Sequence, residues 1–190
     1  GRTLHHSTLV AFDLDGTLVD SMPLLEYTAV GLLIHSYNLD MSAATRAYRR
    51  TAGIAFAQQL DALFPNDARN ARVAMCYERR KPFVYRHAPL FLDVRDALRA
   101  LRLAGVVVRL TTATTAALAR DALTRHRLVL RPLGVGDKLA QLQAARHAYD
   151  RVTFVGDLPR DARIARAAGV EFTGISRAYA PWRNGAPSLR

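Results

Sequence analysis

Two aspartates separated by one residue directly follow an apolar run near the start of the chain. Residues 9–12 are apolar, and the run stops at Asp13-Leu14-Asp15-Gly16-Thr17. Alternate residues of an extended chain point the same way, so both carboxylates can address one site. Aspartate, glycine and threonine also build ordinary strand-ending turns. The combination is rare by chance, however, and it stands where an apolar strand ends, which indicates a catalytic motif.

A second acidic pair occurs far along the chain. Apolar residues 152–155 are followed by Gly156 and Asp157, and Asp161 stands at the expected opening of a helix. Residues four apart on a helix face one direction. Asp161 could serve only to cap that helix. Carboxylates without nearby histidine or cysteine are nevertheless the ligands that Mg²⁺ prefers, and together with the first motif this pair favours a cation site.

Two further positions supply groups that bind phosphate. Thr111 and Thr112 follow the apolar residues 106–110, and a threonine hydroxyl can donate to a phosphoryl oxygen. Lys138 offers a long-reaching positive charge. Because 25 of the 27 basic residues are arginine, a lysine is rare in this chain. A threonine at a strand end and a lysine before a helix are usually structural. The functional interpretation of these residues therefore depends on the acidic motifs.

Apolar runs and helical patterns alternate through most of the chain. Alternating strands and helices predict an α/β fold with a parallel sheet covered on both faces. In such a sheet the residues that follow the strands converge at their carboxyl ends. The expected strands cover residues 9–12, 106–110 and 152–155, with weaker candidates at 128–130 and 171–175, and the expected helices cover 94–101, 139–148 and 162–168.

Residues 20–88 depart from this alternation. They show one helical pattern after another and no convincing strand. We therefore expect an all-helical insertion at 20–88, with residues 81–89 as the linker back to a core formed by 1–19 and 89–190. The tail from residue 180 contains prolines and glycine and is expected to be irregular.

Composition narrows the class of protein. Half of the residues are apolar, 23% are charged and no run approaches a membrane span. The single cysteine excludes an internal disulfide. The sequence also lacks an apolar leader segment, so we expect a soluble, cytoplasmic protein without a membrane partner. The net charge of +11 allows a polyanionic partner, but scattered arginines without a recognition motif argue against nucleic acid.

In these motifs the sequence resembles the haloacid dehalogenase superfamily of phosphohydrolases. The resemblance rests on four motifs in order: Asp13-x-Asp15-Gly-Thr17, Thr111 after a valine-rich strand, Lys138 before a helix, and Gly156-Asp157-x-x-x-Asp161. It implies a Rossmann-like three-layer α/β/α core with an inserted helical cap. The position and size of 20–88 resemble the cap of phosphoglycolate phosphatase-like and β-phosphoglucomutase-like members.

The resemblance implies a role for each motif residue. Asp13 would be the nucleophile that forms an aspartyl-phosphate, and Asp15 would be the general acid and base. Mg²⁺ would be held by the Asp13 side chain, the Asp15 backbone carbonyl and Asp157, with Asp161 in or next to the coordination shell.

The remaining candidate residues would contact the substrate. Thr111 and Lys138 would hold the transferring phosphoryl oxygens, with Thr17 and Thr112 as further substrate-binding candidates. Arg49 and Arg50 lie in the segment where related enzymes place a substrate-reading loop.

Several functions fit these observations. A Mg²⁺-dependent phosphatase acting on a small phosphorylated metabolite agrees with all four motifs. A phosphomutase of the same superfamily would use the same residues, whereas a dehalogenase would need no metal and no acid equivalent to Asp15. A catalytically silent module that binds anions or nucleic acid would exploit the +11 charge, although its cluster of carboxylates would then be a repulsive liability.

Overall fold

The polypeptide separates into two compact units, one of which is an insertion in the other. In the computed structural model, which describes residues 7–134 and 137–180, the chain up to Asp20 and from Pro89 onward belongs to one unit. Ser21–Ala88 forms the other. We call these the α/β unit and the helical unit. The predicted irregular tail lies, beyond Ala180, outside the described residues.

Twelve elements follow one another along the described residues. One strand and four helices come first, and helices and strands then alternate, except that the sixth and seventh helices follow each other with no strand described between them. In chain order they are β1 (Thr8–Phe12), α1 (Met22–Tyr37), α2 (Met41–Thr51), α3 (Phe56–Leu63), α4 (Asn70–His87), α5 (Val94–Leu103), β2 (Val107–Leu110), α6 (Ala116–Arg125), α7 (Lys138–Ala148), β3 (Arg151–Gly156), α8 (Pro159–Ala168) and β4 (Glu171–Gly174).

The α/β unit is built on a parallel sheet. Its described strands run in the order β2-β1-β3-β4, and each neighbouring pair is parallel. Phe12 lies beside both Leu110 and Val155, so the carboxyl ends of β1, β2 and β3 are level. The polar residues that follow these strands therefore start from one end of the sheet. The prediction of an α/β, Rossmann-like fold is confirmed.

Apolar side chains on alternate strand positions attach helices to this sheet. Leu9 and Ala11 of β1 and Phe154 of β3 form a buried cluster with Leu142 of α7 and Ala165 of α8. Because side chains of a strand alternate between its two faces, these residues share one face of the sheet. Their burial removes apolar surface from water and fixes α7 and α8 against the strands that carry the acidic motifs.

Helix ends in the α/β unit follow local sequence signals. Gly105 and Gly169 have φ angles of 77° and 70° and stand just beyond α5 and α8, where the sequence predicts helix stops. The Thr115 side chain accepts a hydrogen bond from the Leu118 N–H and begins α6, a helix that the sequence interpretation omitted.

The helical unit consists of α1–α4, as the sequence predicts for an all-helical segment. One detail of that prediction is wrong, because residues 81–87 are the last turns of α4 and not a linker. Lys81, Val84 and Tyr85 are buried at helical spacing, and Pro82 is exposed. Burial of this face maintains the helix in spite of the N–H that proline lacks. No described helix has the length and apolar character to cross a membrane.

The prediction of a weak strand at 128–130 is also wrong. Residues 128–130 form no strand, and only Pro132, just beyond them, makes an isolated bridge with Leu110. Arg127 has a φ angle of 54°, which turns the chain just before the segment, and Pro132 has no N–H with which to extend the pairing. Local apolar character therefore did not produce a strand, because the backbone on both sides interrupts the ladder.

Candidate active site

Three aspartates from separate places in the sequence meet at the carboxyl end of the sheet. Asp13 follows β1, Asp157 follows β3 and Asp161 lies in the first turn of α8. One carboxylate oxygen from each lies within 4.8 Å of the other two, and the residues are only 4%, 1% and 1% exposed. The Asp13 N–H donates to the Val155 carbonyl at 2.9 Å, which keeps the ends of β1 and β3 together. This spacing allows the three residues to share one ion.

Gly156 makes room for the Asp161 side chain. A Cβ atom at residue 156 would lie 2.6 Å from Asp161 Oδ2, closer than any real contact. The same Oδ2 accepts the Leu158 N–H at 3.2 Å, while the Asp161 N–H donates to the Leu158 carbonyl at 2.9 Å. Asp161 therefore stabilises the start of α8 and also belongs to the acidic cluster. Helix capping and a place in a cation site are thus compatible for this residue.

Lys138 lies between two of these carboxylates. Its Nζ is 3.0 Å from Asp13 Oδ1 and 2.9 Å from Asp161 Oδ1, and the side chain is buried. Lys138 is the first residue of α7, which begins where the Asp137 side chain accepts the Ala140 N–H. Helix capping thus places the ammonium at the cluster. The lysine singled out by its rarity thus lies within the acidic cluster.

Burial shifts the ionisation of the whole cluster. It raises the pKa of Asp13 well above its ordinary value; Lys138 lowers that pKa, and the Asp161 and Asp157 charges raise it further. Burial and Asp161 raise the pKa of Asp157 to about 7, against the opposing effects of Lys138 and a Thr17 hydrogen bond. Burial alone would lower the pKa of Lys138, but Asp13 and Asp161 raise it above its ordinary value. Lys138 is therefore charged at neutral pH.

The charge of this cluster matches a divalent cation. With a cation bound and all three carboxylates ionised, Asp13, Asp157, Asp161 and the Lys138 ammonium would together carry two negative charges. Carboxylate oxygens without nitrogen or sulfur ligands suit a hard cation such as Mg²⁺ or Ca²⁺. The residues present therefore fit a metal ion.

Asp15 is placed differently from the three clustered carboxylates. Its side chain is partly exposed, and its Oδ2 accepts the Thr114 hydroxyl at 3.0 Å. Gly16, with a φ angle of 75°, turns the backbone away immediately afterwards. The resemblance assigns the Asp15 side chain to proton transfer and only its backbone carbonyl to the metal, and this placement is compatible with both roles.

The candidate threonines are already engaged by neighbouring protein groups. The buried Thr17 hydroxyl donates to Asp157 Oδ1 at 3.1 Å, so it orients a carboxylate, whereas the sequence analysis assigned it to the substrate. The buried Thr111 hydroxyl donates to Gln141 Oε1 at 2.7 Å, and the Thr112 hydroxyl accepts the Thr114 N–H at 3.1 Å.

The two candidate arginines belong to the helical unit. Arg49 and Arg50 lie in the last turn of α2. The Arg49 guanidinium binds the Glu26 carboxylate through two hydrogen bonds of 2.7 and 2.9 Å. Arg50 is exposed. Arg50 is therefore the better candidate of the two for an anionic substrate group, because its neighbour already has a carboxylate partner.

The comparison with known families decides the classification. The family model of the haloacid dehalogenase-like hydrolases matches residues 8–169 of this chain. The chain belongs to that family. The resemblance drawn from the four sequence motifs is thereby confirmed, and the acidic cluster lies within the matched part of this hydrolase.

Solved structures show the same fold at low sequence identity. A haloacid dehalogenase-like hydrolase from Bacteroides fragilis is 21% identical, with 97% of this chain and 95% of that chain covered and a TM-score of 0.74. A protein described as a predicted phosphoglycolate phosphatase from Haemophilus somnus is 21% identical, with coverages of 94% and 88% and a TM-score of 0.64.

The fold alone does not specify one activity. Protein Tyrosine Kinase A from Mycobacterium tuberculosis is 23% identical to this hydrolase, with coverages of 97% and 92% and a TM-score of 0.58. No curated protein is similar enough in sequence to count as a match. The activity must therefore be argued from the site itself.

Sequence reasoning missed several residues of the hydrolase site. Thr114 contacts Asp15, and Gln141 contacts Thr111. Thr114 stands in the threonine-rich segment after β2, and Gln141 lies one helical turn after Lys138. The geometry of a strand end and of a helix could therefore have indicated both residues from the sequence. Arg177, whose side chain donates to the Thr17 carbonyl at 2.9 Å, carried no such signal.

Proposed function

We propose that this hydrolase is a Mg²⁺-dependent phosphatase that acts on small phosphomonoesters through an aspartyl-phosphate at Asp13. The observation that carries the proposal is the meeting of Asp13, Asp157 and Asp161 with the Lys138 ammonium. Membership of the haloacid dehalogenase-like family and the description of a structural neighbour as a phosphatase support it.

The acidic residues would hold the cation. Asp13, Asp157 and Asp161 would offer carboxylate oxygens, and the Asp15 backbone carbonyl is a further candidate. Bound Mg²⁺ would supply charge neutralisation, which allows an anionic nucleophile to approach an anionic phosphate. Thr17 would keep Asp157 oriented for this task through its hydroxyl.

Phosphoryl transfer would begin at Asp13. One carboxylate oxygen forms a bond to phosphorus while the bond from phosphorus to the ester oxygen breaks. Lys138 holds Asp13 through its Oδ1 and contributes positive charge where negative charge develops on the phosphoryl oxygens. Thr111, at the end of the neighbouring strand, would donate its hydroxyl to the same oxygens in exchange for its bond to Gln141.

Asp15 would move the protons in both halves of the reaction. It gives a proton to the departing ester oxygen and then takes one from the water that attacks the aspartyl-phosphate, so that phosphate leaves and Asp13 is regenerated. The Thr114 hydroxyl fixes the orientation of its carboxylate. Partial exposure of Asp15 suits a group that must exchange protons with solvent.

The helical unit is the proposed cap and source of substrate specificity. The α/β unit carries the groups of the shared chemistry, so selection among phosphorylated metabolites would depend on the inserted helices and on Arg49 or Arg50. A phosphomutase would use the same site but would return the phosphoryl group to a substrate.

Hydrolysis of para-nitrophenyl phosphate with Mg²⁺ or with a chelator tests the proposal. We expect Mg²⁺-dependent release of nitrophenolate and a loss of at least about a thousandfold in Asp13→Asn, because the nucleophile is removed. Asp121→Asn is the matched control, since Asp121 is an exposed aspartate on α6. Acid-quenched Asp15→Asn should carry a phosphoryl group on Asp13.

Two outcomes would change the assignment. Folded protein that is inactive on para-nitrophenyl phosphate and on a panel of phosphorylated metabolites would favour the binding module. Interconversion of sugar phosphates that needs a bisphosphate activator would indicate the phosphomutase.

A further inference from the structure

Arg177 joins two distant segments of the α/β unit from the loop that follows β4. Its Nη2 donates to the Thr17 carbonyl at 2.9 Å. The two terminal nitrogens also bind both oxygens of Asp93, each at 3.0 Å. The Arg177 side chain is only 14% exposed, although Asp93 is largely exposed. The guanidinium is therefore fixed mainly from within the protein.

An aromatic ring completes the environment of Arg177. Its guanidinium carbon lies 3.9 Å from the centre of the Phe91 ring, a cation–π arrangement. The buried Nε has no acceptor among the described residues, which is a cost to the folded state. Only arginine offers a planar fork that can bind a carboxylate, donate to a carbonyl and stack on a ring at once. No other side chain could make all three of these contacts at residue 177.

The segments held by Arg177 are the two chain connections to the helical unit. Residues 17–20 lead into the insertion, and residues 89–93 lead out of it. They pair with each other, since the Asp20 N–H donates to the Pro89 carbonyl at 2.8 Å and the Phe91 N–H donates to the Leu18 carbonyl at 3.1 Å. Arg177, in a third segment, binds both of these segments through Thr17 and Asp93 and so holds them together.

Thr17 connects the junction to the acidic cluster. The segment that leads into the insertion begins at Thr17, whose carbonyl binds Arg177 while its hydroxyl donates to Asp157 Oδ1 at 3.1 Å. Thr17 is fully buried, so its backbone and side chain cannot move independently of their partners. A residue that fixes the Thr17 backbone also fixes the donor that orients Asp157.

We propose that Arg177 is a positioning residue for the cation site: by holding the Thr17 carbonyl it sets the hydroxyl that orients Asp157. The inference rests on the proposed function in one respect, namely that Asp157 is a cation ligand. Groups behind a metal ligand commonly change metal affinity ten- to a hundredfold when removed. Because Arg177 acts through Thr17, we expect a smaller change.

Titration calorimetry with Mg²⁺, without substrate, tests the proposal. Arg177→Met keeps an unbranched aliphatic side chain but removes the guanidinium with its donors, and it should raise the Kd for Mg²⁺ about five- to tenfold. Arg151→Met is the matched control, because Arg151 binds the Glu171 carboxylate at 2.9 and 3.1 Å but is 62% exposed and has no contact with the cluster among the described residues. Its Kd should equal that of the native protein.

A double substitution tests whether Arg177 affects Mg²⁺ binding through Thr17. In Thr17→Ala, which lacks the hydroxyl, adding Arg177→Met should change the Kd less than twofold. Arg177→Lys, whose ammonium can serve the Thr17 carbonyl or Asp93 but not both well, should fall between the native protein and Arg177→Met, at about threefold. Rescue of this kind would not follow from a general loss of stability.

Three results would overturn the proposal. The first is a native-like Kd in folded Arg177→Met, and the second is an undiminished effect of Arg177→Met in the Thr17→Ala background. If Arg177→Met does not fold, Arg177→Lys decides, and a native-like Kd there is the third result. Native protein that binds Mg²⁺ but hydrolyses no phosphate ester would refute the proposed function and leave this inference standing. Native protein that binds no Mg²⁺ would refute both.

Discussion

The two units of the hydrolase differ in whether they bury carboxylates. Between Ser21 and Ala88, all of which the structure describes, no carboxylate is buried. The buried polar residues there are Lys81, whose ammonium lies 3.2 Å from the partly exposed Glu78 carboxylate, and the neutral Ser21, Thr51, Gln59 and Asn70. These neutral groups bind one another or nearby protein groups. The α/β unit instead buries three carboxylates around a single ammonium.

This difference separates polar groups that stabilise the fold from polar groups that remain available for a ligand. A hydrogen-bonded neutral pair is satisfied within the protein, so nothing more is needed from outside. Buried carboxylates in excess of their counter-charge destabilise the protein unless a cation binds. Substitutions in the acidic cluster of the α/β unit should therefore change metal binding and rate, whereas substitutions in the helical core should change stability.

The largest effect is expected when Lys138 is replaced. Lys138→Met removes the only ammonium in the described cluster and leaves Asp13 and Asp161 without their charged partner. Loss of one preorganised electrostatic group typically costs about 10²–10³ in kcat, so we expect a loss near the upper end in steady-state assays with saturating Mg²⁺. A kcat within tenfold of the native value, in protein shown to be folded, would contradict the assignment.

The pH dependence of Mg²⁺ stabilisation should be the next largest effect. The raised pKa of Asp157, about 7, means that the folded protein holds a proton that the unfolded chain releases near pH 4. Without Mg²⁺, stability should therefore fall as pH rises from about 4 to 7. A bound cation replaces this proton, so the Mg²⁺-induced rise in Tm should be larger at pH 8 than at pH 5.

Thermal unfolding monitored by circular dichroism checks that prediction. At about 100 times the Kd, Mg²⁺ should add about 2.7 kcal/mol at pH 8, or a Tm increase of roughly 5–10 °C. Asp157→Asn should lose most of this increase. A Mg²⁺ effect that is equal at both pH values would show that the carboxylates are not its source.

A substitution in the helical unit sharpens the comparison from the other side. Asn70 accepts the Tyr37 hydroxyl at 2.7 Å and donates to the Phe64 carbonyl at 2.9 Å. Asn70→Ala leaves the Tyr37 hydroxyl without its acceptor and removes one of the two donors to the Phe64 carbonyl, so it should lower the free energy of unfolding by about 2 kcal/mol. Urea denaturation measures this loss, while kcat of the folded variant should stay within twofold. A large fall in kcat without a loss of stability would break the distinction between the two units.

The smallest effect concerns the exposed arginines. Arg50→Ala should raise KM about three- to fivefold if Arg50 contacts an anionic substrate group, because an exposed ion pair contributes up to about 1 kcal/mol. Arg49→Ala should do less, since Arg49 is paired with Glu26. The substrate is the best one found in a screen of phosphorylated metabolites. Unchanged KM values in both variants would exclude these residues from substrate recognition.

The acidic motifs were predictable because each strand and the aspartate that ends it are local features of the sequence. Residues 9–12 and 152–155 are short apolar runs that end at aspartates, and parallel strands bring their carboxyl ends together. Lys138 was predictable as a member of the site, but its two carboxylate partners were not. The hydrogen bonds of Thr17 and Thr111 could not be read from spacing, since each joins residues on different elements.

The errors have the same origin. Residues 128–130 and 81–87 were judged by local composition, yet their structure depends on what lies beside them. Pro82 is tolerated within α4 because the helix buries Lys81, Val84 and Tyr85 along one face. The cytoplasmic location expected from the sequence stays a prediction.

By itself the sequence determined the order of the elements, the family and the identity of the chemical groups, because apolar periodicity and motif spacing are properties of short segments. Only the tertiary structure decided which groups touch. Asp13, Asp157 and Asp161 come together as one acidic cluster, and the Arg177 guanidinium comes within hydrogen-bond distance of the Thr17 carbonyl, only when the chain folds. Burial and distance, which govern electrostatic energy, do not exist until the chain is folded.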